Sequence, residues 1–285
     1  MAAQSDDMLI WCNGSLVPAR EIRVSPFDTG FTIGAGVFES VLAIAGEPIA
    51  FARHHARLAH AAGVFGLALP ALEELRDACR AVASASGHAR ARVRITVTCG
   101  PGMPGATMPG GPPTILVVAH EVTLPMRPAI LASVPWRRNP ESALSGIKST
   151  SYAENLLALA AAKSAGADEA VMLNTRDELC ECATSNLWYA QEGKLSTPGL
   201  DSGCLPGVAR QILLELSAGA GIEVDQSPRG AGALAAADVI FLTSAIRGVH
   251  PVACCDGREI NSVGHPLVVA LGKALEDGWE SRRWS

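Results

Sequence analysis

ECATSNLWYAQEGKLSTPGLDSGCLPGVAR, residues 181–210, is the stretch on which the reading of this chain turns. Residues 185–190, SNLWYA, read as a strand. The turn-rich run beyond them ends in Leu205-Pro206-Gly207, and Ile212, Leu213 and Leu216 follow at helical spacing. Pro206 suits a helix start, and Gly203 and Gly207 let a ligand approach the backbone closely. A helix N-terminus with unpaired N–H groups and a positive dipole end is a ready anion site. By itself the motif is more often just an ordinary helix start. Thr243-Ser244, at the end of the apolar run Val239–Leu242, offers further hydroxyls, with a strand-end turn as its plain alternative.

Upstream, Glu181 opens the stretch between Cys180 and Cys182. An acid among small thiols and apolar side chains needs a partner if it is buried, and a protonated ring nitrogen would be one. Further upstream, GIKSTSYAENLLALAAAKSAGADEAVMLN (146–174) places Lys148 between small and hydroxyl-bearing residues, just before a helical pattern. A desolvated lysine there would titrate low and could form a Schiff base, whereas a solvated lysine would be a surface charge. Arg53 opens a helix beside His54 and His55, where an exposed helix-start charge is its ordinary explanation.

The rest of the chain alternates strands and helices. Asn13-Gly14 turns a hairpin within MLIWCNGSLV, and a second hairpin spans Val37–Phe51 with its turn near Gly46-Glu47-Pro48. Helices are expected from Arg53 to Phe65 and from Leu72 to Ala85, and a half-buried strand from Val93 to Cys99. Residues 100–113 hold five Gly and five Pro, which makes them an irregular loop and a candidate pocket cover. After a strand at 114–120 the domain boundary falls at 121–129, separating a smaller α+β domain (1–120) from a larger domain (130–285) that carries Lys148. The second half reads as strands near 130–135, 169–174, 185–190 and 238–242, with helices near 151–165, 207–218 and 265–279. Without a regular βαβ count the class is α+β, or mixed α/β. Gly30, Gly34 and Gly36 have the wrong spacing for a dinucleotide fingerprint.

Composition narrows the partners. With 285 residues, 48% hydrophobic, the chain can bury a substantial core, and a net charge of −5 offers no basic stripe for nucleic acid. No apolar run approaches the ~18 residues that span a bilayer. The N-terminus MAAQSDDMLI lacks the basic start of a signal peptide, so the expectation is a soluble, cytoplasmic protein. Eight cysteines and seven histidines show no metal-ligand spacing.

A Schiff-base lysine, a carboxylate for a ring nitrogen and a phosphate cradle together match what pyridoxal 5′-phosphate requires. The two long segments quoted, with the order Glu, Asn-apolar-aromatic, Leu-x-Thr and Gly-apolar-x-Arg, resemble the class IV (fold-type IV) pyridoxal-phosphate enzymes from the Asn13-Gly14 hairpin to about Val252. These are the branched-chain and D-amino-acid aminotransferases and 4-amino-4-deoxychorismate lyase. The resemblance implies a two-domain, D-amino-acid-aminotransferase-like fold and a homodimer whose active site lies between the domains, partly closed by the neighbouring subunit.

By the same resemblance, Lys148 is the Schiff-base lysine and proton shuttle, and Glu181 holds the ring nitrogen protonated. Arg53, in the region of Phe51, His55 and Arg57-Leu58, takes the phosphate with Gly207, Val208 and the Ser244-Ala245 turn. Leu205 packs on the ring, and Phe38-Glu39 is an aromatic–acid pair lining the substrate pocket. Where the lyase and the D-amino-acid enzymes carry arginine, this chain has Cys99, in TVTCGPG (96–102), so the substrate carboxylate falls to Arg94 or Arg247. Tyr152 departs from the lyase, whereas ECATSNLW, LDSGCLPG and TSAIRGVHPV lean toward it. The main expectation is an aminotransferase acting on an amino acid. The lyase, giving 4-aminobenzoate and pyruvate, is the alternative, and a non-catalytic cofactor-binding relative is a remote third.

Overall fold

The computed structural model describes residues 7–103, 111–125 and 127–284, so part of the Gly/Pro loop and of the N-terminal stretch read above lie outside the described residues. By internal contacts the chain divides into two compact units. The first is Met1–Thr123 with Ile147–Tyr152 and Trp279–Ser285; the second is Leu124–Gly146 with Ala153–Gly278.

The first unit runs β1 (Leu9–Cys12), β2 (Ser15–Pro18), α1 (Thr29–Ile33), β3 (Gly36–Ile44), β4 (Glu47–Pro48), α2 (Phe51–Val64), α3 (Leu72–Ser86), β5 (Arg90–Thr98) and β6 (Thr114–Glu121). Its sheet is antiparallel in the order β2-β1-β6-β5-β3-β4. Asn13 and Gly14 both take positive φ, as a two-residue hairpin turn requires. The second hairpin turns on Ala45-Gly46, one residue earlier than expected, because those two supply the positive φ angles and Glu47-Pro48 already pair with β3. Alternation in β5 buries Ala91, Val93, Ile95 and Val97. With Val37 and Val41 they pack under Phe51 and Leu58 of α2 and Leu75 and Val82 of α3, each fully buried large side chain contributing about 1.5–3 kcal/mol. Helix α1 begins on Asp28, fully buried, whose Oδ1 accepts from Gly30 N–H (2.8 Å) and whose Oδ2 accepts from the hydroxyls of Thr98 (2.9 Å) and Thr114 (2.7 Å).

The second unit contains β7 (Ala129–Arg138), α4 (Ala153–Ser164), β8 (Glu169–Asn174), β9 (Leu179–Cys182), β10 (Asn186–Gln191), β11 (Lys194–Ser196), α5 (Val208–Gly219), β12 (Val224–Asp225), α6 (Gly232–Ala235), β13 (Val239–Ser244), β14 (Gly248–Cys255), β15 (Arg258–Glu259) and α7 (Pro266–Glu280), which runs on into Trp279 of the first. Its mixed nine-stranded sheet has the order β12-β11-β10-β13-β14-β7-β8-β9, with β15 on β14. Strands β8, β9, β10 and β13 are buried almost throughout, so both of their faces are covered and their sequences do not alternate.

The segment carrying Lys148 groups with the first unit, where a division at 121–129 had assigned it to the second. The reason is backbone pairing. Phe38 N–H donates to Lys148 O (2.8 Å), Thr150 N–H donates to Gly36 O (2.9 Å), and Val37 and Ser149 form a bridge. Ile147 packs into the first unit's core, and the Thr150 and Ser151 hydroxyls donate to Gly34 O at 2.7 and 2.9 Å.

Candidate active site

Lys148 is therefore held as a short extra strand beside β3. Its Nζ lies 4.3 Å from the centre of the Phe38 ring and 5.7 Å from that of Tyr152, and the two rings meet edge to face at 5.3 Å. Arg94, on the neighbouring β5, sets its guanidinium carbon 3.8 Å from the same Phe38 ring and donates from Nε to Thr96 Oγ1 (3.3 Å). Cation–π contacts of this kind are worth about 0.5–2 kcal/mol and leave the donors free for an anion. Burial pushes the Arg94 pKa down, and among the described residues it meets no carboxylate. Cys99, immediately after β5, is buried with its N–H on Ala35 O (3.0 Å), and burial raises its thiol pKa.

Phe38 and Glu39 do not line one surface, as the aromatic–acid pairing had implied. Successive strand residues face opposite sides, and Glu39 points into the helix-covered core, fully buried. There Arg57 donates from Nε (2.9 Å) and Nη2 (2.6 Å) to its two carboxylate oxygens, and His54 Nδ1 lies 3.3 Å from Oε1. Burial alone would raise the Glu39 pKa, but the charges and hydrogen bonds of Arg57 and His54 together outweigh it and hold the carboxyl well below the usual range. Burial pushes the His54 imidazole down, toward its neutral form. Arg53, half-buried, lies one turn before Arg57 on α2. The sequence contained Arg57 but no sign of its partner, because Glu39 is 18 residues away.

In the second unit Glu181, on β9, accepts from Leu205 N–H at Oε2 (2.9 Å) and from Arg138 Nη2 at Oε1 (3.3 Å). Asn186 Nδ2 donates to Leu205 O (2.8 Å), so both peptide groups of Leu205 are clamped. Helix α5 starts on Gly207 with no side chain capping it, which leaves the first-turn N–H groups, including Val208, to an outside acceptor. A Cβ on Gly207 would clash with Asn186 Oδ1. Gly207→Ala is therefore expected to push the loop off Asn186, costing about 1–3 kcal/mol of stability and weakening anion binding, as phosphate titration would show. Arg210, buried in the first turn of α5, ties that turn down by donating to Pro198 O (2.8 Å) and Gln226 Oε1 (2.7 Å). Cys180, Cys182 and Cys204 are buried around Glu181, and burial raises all three thiol pKa values, Cys204 to about 11.

The β13–β14 turn holds the remaining candidates. Thr243 is buried, and its hydroxyl accepts from Trp188 Nε1 (2.9 Å). Ser244 and Ala245 are half-buried in the turn, and the Ser244 Oγ accepts from Arg247 N–H (3.1 Å). The Arg247 Nη2 donates to Glu169 Oε2 (3.0 Å) and Thr184 Oγ1 (2.9 Å). A guanidinium already paired with a buried carboxylate is a poor anchor for a second one; Arg94 has no such partner. Neither Arg138 nor Glu169 was singled out from sequence, because each meets its partner across more than 40 residues.

The profile of the amino-transferase class IV family matches residues 36–255. A Methanocaldococcus jannaschii protein, provisionally named a branched-chain-amino-acid aminotransferase, is 33% identical over 264 residues, 90% of each chain. Branched-chain aminotransferase from Thermoproteus uzoniensis, solved with norvaline, superposes with a TM-score of 0.89 at 25% identity, covering 96% of this chain and 95% of that one. Branched-chain amino acid aminotransferase from Escherichia coli gives 0.87 at 25% identity, covering 96% and 94%. A further enzyme of that name, in complex with N-(5′-phosphopyridoxyl)-L-glutamate, gives 0.88 at 27% identity, again covering 96% and 94%.

Proposed function

Because the chain belongs to the class IV aminotransferases, we propose that it transfers the amino group of branched-chain L-amino acids and L-glutamate, using pyridoxal 5′-phosphate attached at Lys148. The observation that carries the reading is Lys148, half-buried, with its backbone paired to β3 and its amine over the Phe38 ring. The donor set fits the cofactor: an amine, a buried carboxylate held by Arg138 and a backbone N–H, and an uncapped helix start at a glycine with no room for Cβ.

When bound, pyridoxal phosphate supplies an aldehyde for the amine and a ring that draws electrons from the α-carbon. In this reading Lys148 is the nucleophile and afterwards moves the α-proton from its Nζ. Glu181, kept oriented by Arg138 and Leu205 N–H, holds a proton on the ring nitrogen. Gly207, Val208, Ser244 and Ala245 take the phosphate with an arginine of α2. Leu205 packs on the ring, and Arg94, over Phe38, takes a substrate carboxylate; Tyr152 borders the same ring.

We also infer a homodimer, as the family resemblance implies. Its cysteines are all free thiols, which supports a reducing, cytoplasmic compartment. Among the described residues no helix is long and apolar enough to cross a membrane.

The purified protein is expected to be yellow and to lose its visible band when offered L-leucine or L-glutamate. Bleaching by D-alanine alone, or release of fluorescent 4-aminobenzoate from aminodeoxychorismate without bleaching by either L-amino acid, would replace the reading with the D-amino-acid enzyme or the lyase. Removing a charge-assisted anchor costs about 1.5–3 kcal/mol, so Arg94→Met should raise KM for the carboxylate substrate roughly 10–100-fold with little change in kcat. Steady-state kinetics on both substrates checks this.

A further inference from the structure

Glu169 is fully buried on β8 and gathers two other segments of the second unit onto its carboxylate. Its Oε1 accepts from Thr184 N–H (3.1 Å), and its Oε2 accepts from the Thr184 hydroxyl, the Ser185 hydroxyl (3.3 Å) and Arg247 Nη2 (3.0 Å). Thr184 and Ser185 form the link from β9 to β10, just past Glu181; Arg247 lies in the β13–β14 turn, just past Ser244 and Ala245. The turn is held at two points of one residue, the Arg247 backbone N–H on Ser244 Oγ and its guanidinium on Glu169 and Thr184.

We propose that Glu169 and Arg247 are positioning residues, whose ion pair fixes the β13–β14 turn in the direction needed to present Ser244 and Ala245 to the phosphate of the cofactor. The inference rests on the cofactor assignment above. Ala245 has no hydroxyl that could rotate to meet a displaced phosphate, so its contribution is a backbone N–H whose aim is set by the turn alone. A buried ion pair is a weak device for stability, because apolar residues of similar volume do as well. Its geometric specificity is what such residues lack. Both bonds leave from the one Nη2, and lysine at 247 would keep the charge but not the rigid, planar guanidinium that fixes where that nitrogen sits.

The test compares two ligands that differ only in the phosphate. Full-length protein, stripped of cofactor, is titrated with pyridoxal 5′-phosphate and with pyridoxal, in the wild type and in Arg247→Met, Arg247→Lys and Thr184→Val. For Arg247→Met the affinity for pyridoxal 5′-phosphate is expected to fall about tenfold or more, the scale on which outer-shell partners act. Affinity for pyridoxal is expected to stay within about twofold of the wild type, and Arg247→Lys to recover part of the loss. Thr184→Val, nearly isosteric, keeps Arg247 and is expected to show a smaller loss with the same selectivity, so the result survives if Arg247→Met does not fold. Equal losses for both ligands, which a merely structural role would give, or no loss for either, overturns the proposal. If the wild type itself forms no borohydride-reducible adduct at Lys148, the cofactor reading is what has failed.

Discussion

Lys148→Ala is expected to yield a folded, colourless protein whose turnover falls by roughly 10⁴-fold or more, the loss that follows when a nucleophile and proton carrier are removed together. The structure separates this chemical loss from a folding defect. The bonds that seat the segment on β3 run through the backbone, from Phe38 N–H to the carbonyl at 148 and from Thr150 N–H to Gly36 O, and an alanine keeps both. What disappears is the ammonium over Phe38, a contact of about 0.5–1 kcal/mol. Circular dichroism should therefore match the wild type while the visible band and turnover are absent. Borohydride reduction and peptide mapping should place the cofactor on residue 148 in the wild type. A reduced adduct on any other lysine, or a variant that keeps the band, would show the assignment to be wrong.

Arg57→Met is expected to cost about 3–5 kcal/mol in denaturant unfolding at neutral pH, because it leaves the buried Glu39 carboxylate without its guanidinium partner. The pH dependence identifies the cause. In the wild type the folded Glu39 pKa lies below its unfolded value. The pair's contribution is then present above about pH 4 and is lost as the pH falls through the folded value. In the variant burial is opposed only weakly, so the folded pKa moves above the unfolded one and the penalty disappears once the acid is protonated. The gap between wild type and variant should thus be widest at neutral pH and narrow below about pH 4. A gap independent of pH would mean that lost packing, not the unpaired charge, accounts for the cost.

Local signals carried the reading wherever structure is local. The Asn13-Gly14 turn, the helices α2, α3 and α5, and the alternating strand β5 follow from spacing and turn chemistry within a few residues. Strand β9 was not anticipated, because Leu179–Cys182 is buried on both faces and has no alternation. Helix α1 escaped because it is five residues long and starts on an aspartate whose partners lie near residues 98 and 114. Lys148 and Glu181 stood out through residues beside them in the chain that a solvated surface would not use. Their supports did not: the pairs 39/57, 138/181 and 169/247 are bonds between side chains that only the fold brings together. The same holds for the grouping of Ile147–Tyr152 with the first unit, which rests on pairing with β3 and leaves no mark on composition.

The buried thiols around Glu181 have a practical consequence. Alkylating reagents attack thiolates that they can reach, and Cys180, Cys182 and Cys204 are neither accessible nor readily ionised in the native fold. Their modification by iodoacetamide must wait for the surrounding strands to open, so the rate at which these three sites acquire label is an intrinsic clock for local unfolding beside the carboxylate. Added cofactor would slow that clock in proportion to how tightly it is held, which turns three inert side chains into a gauge of binding that needs neither substrate nor turnover.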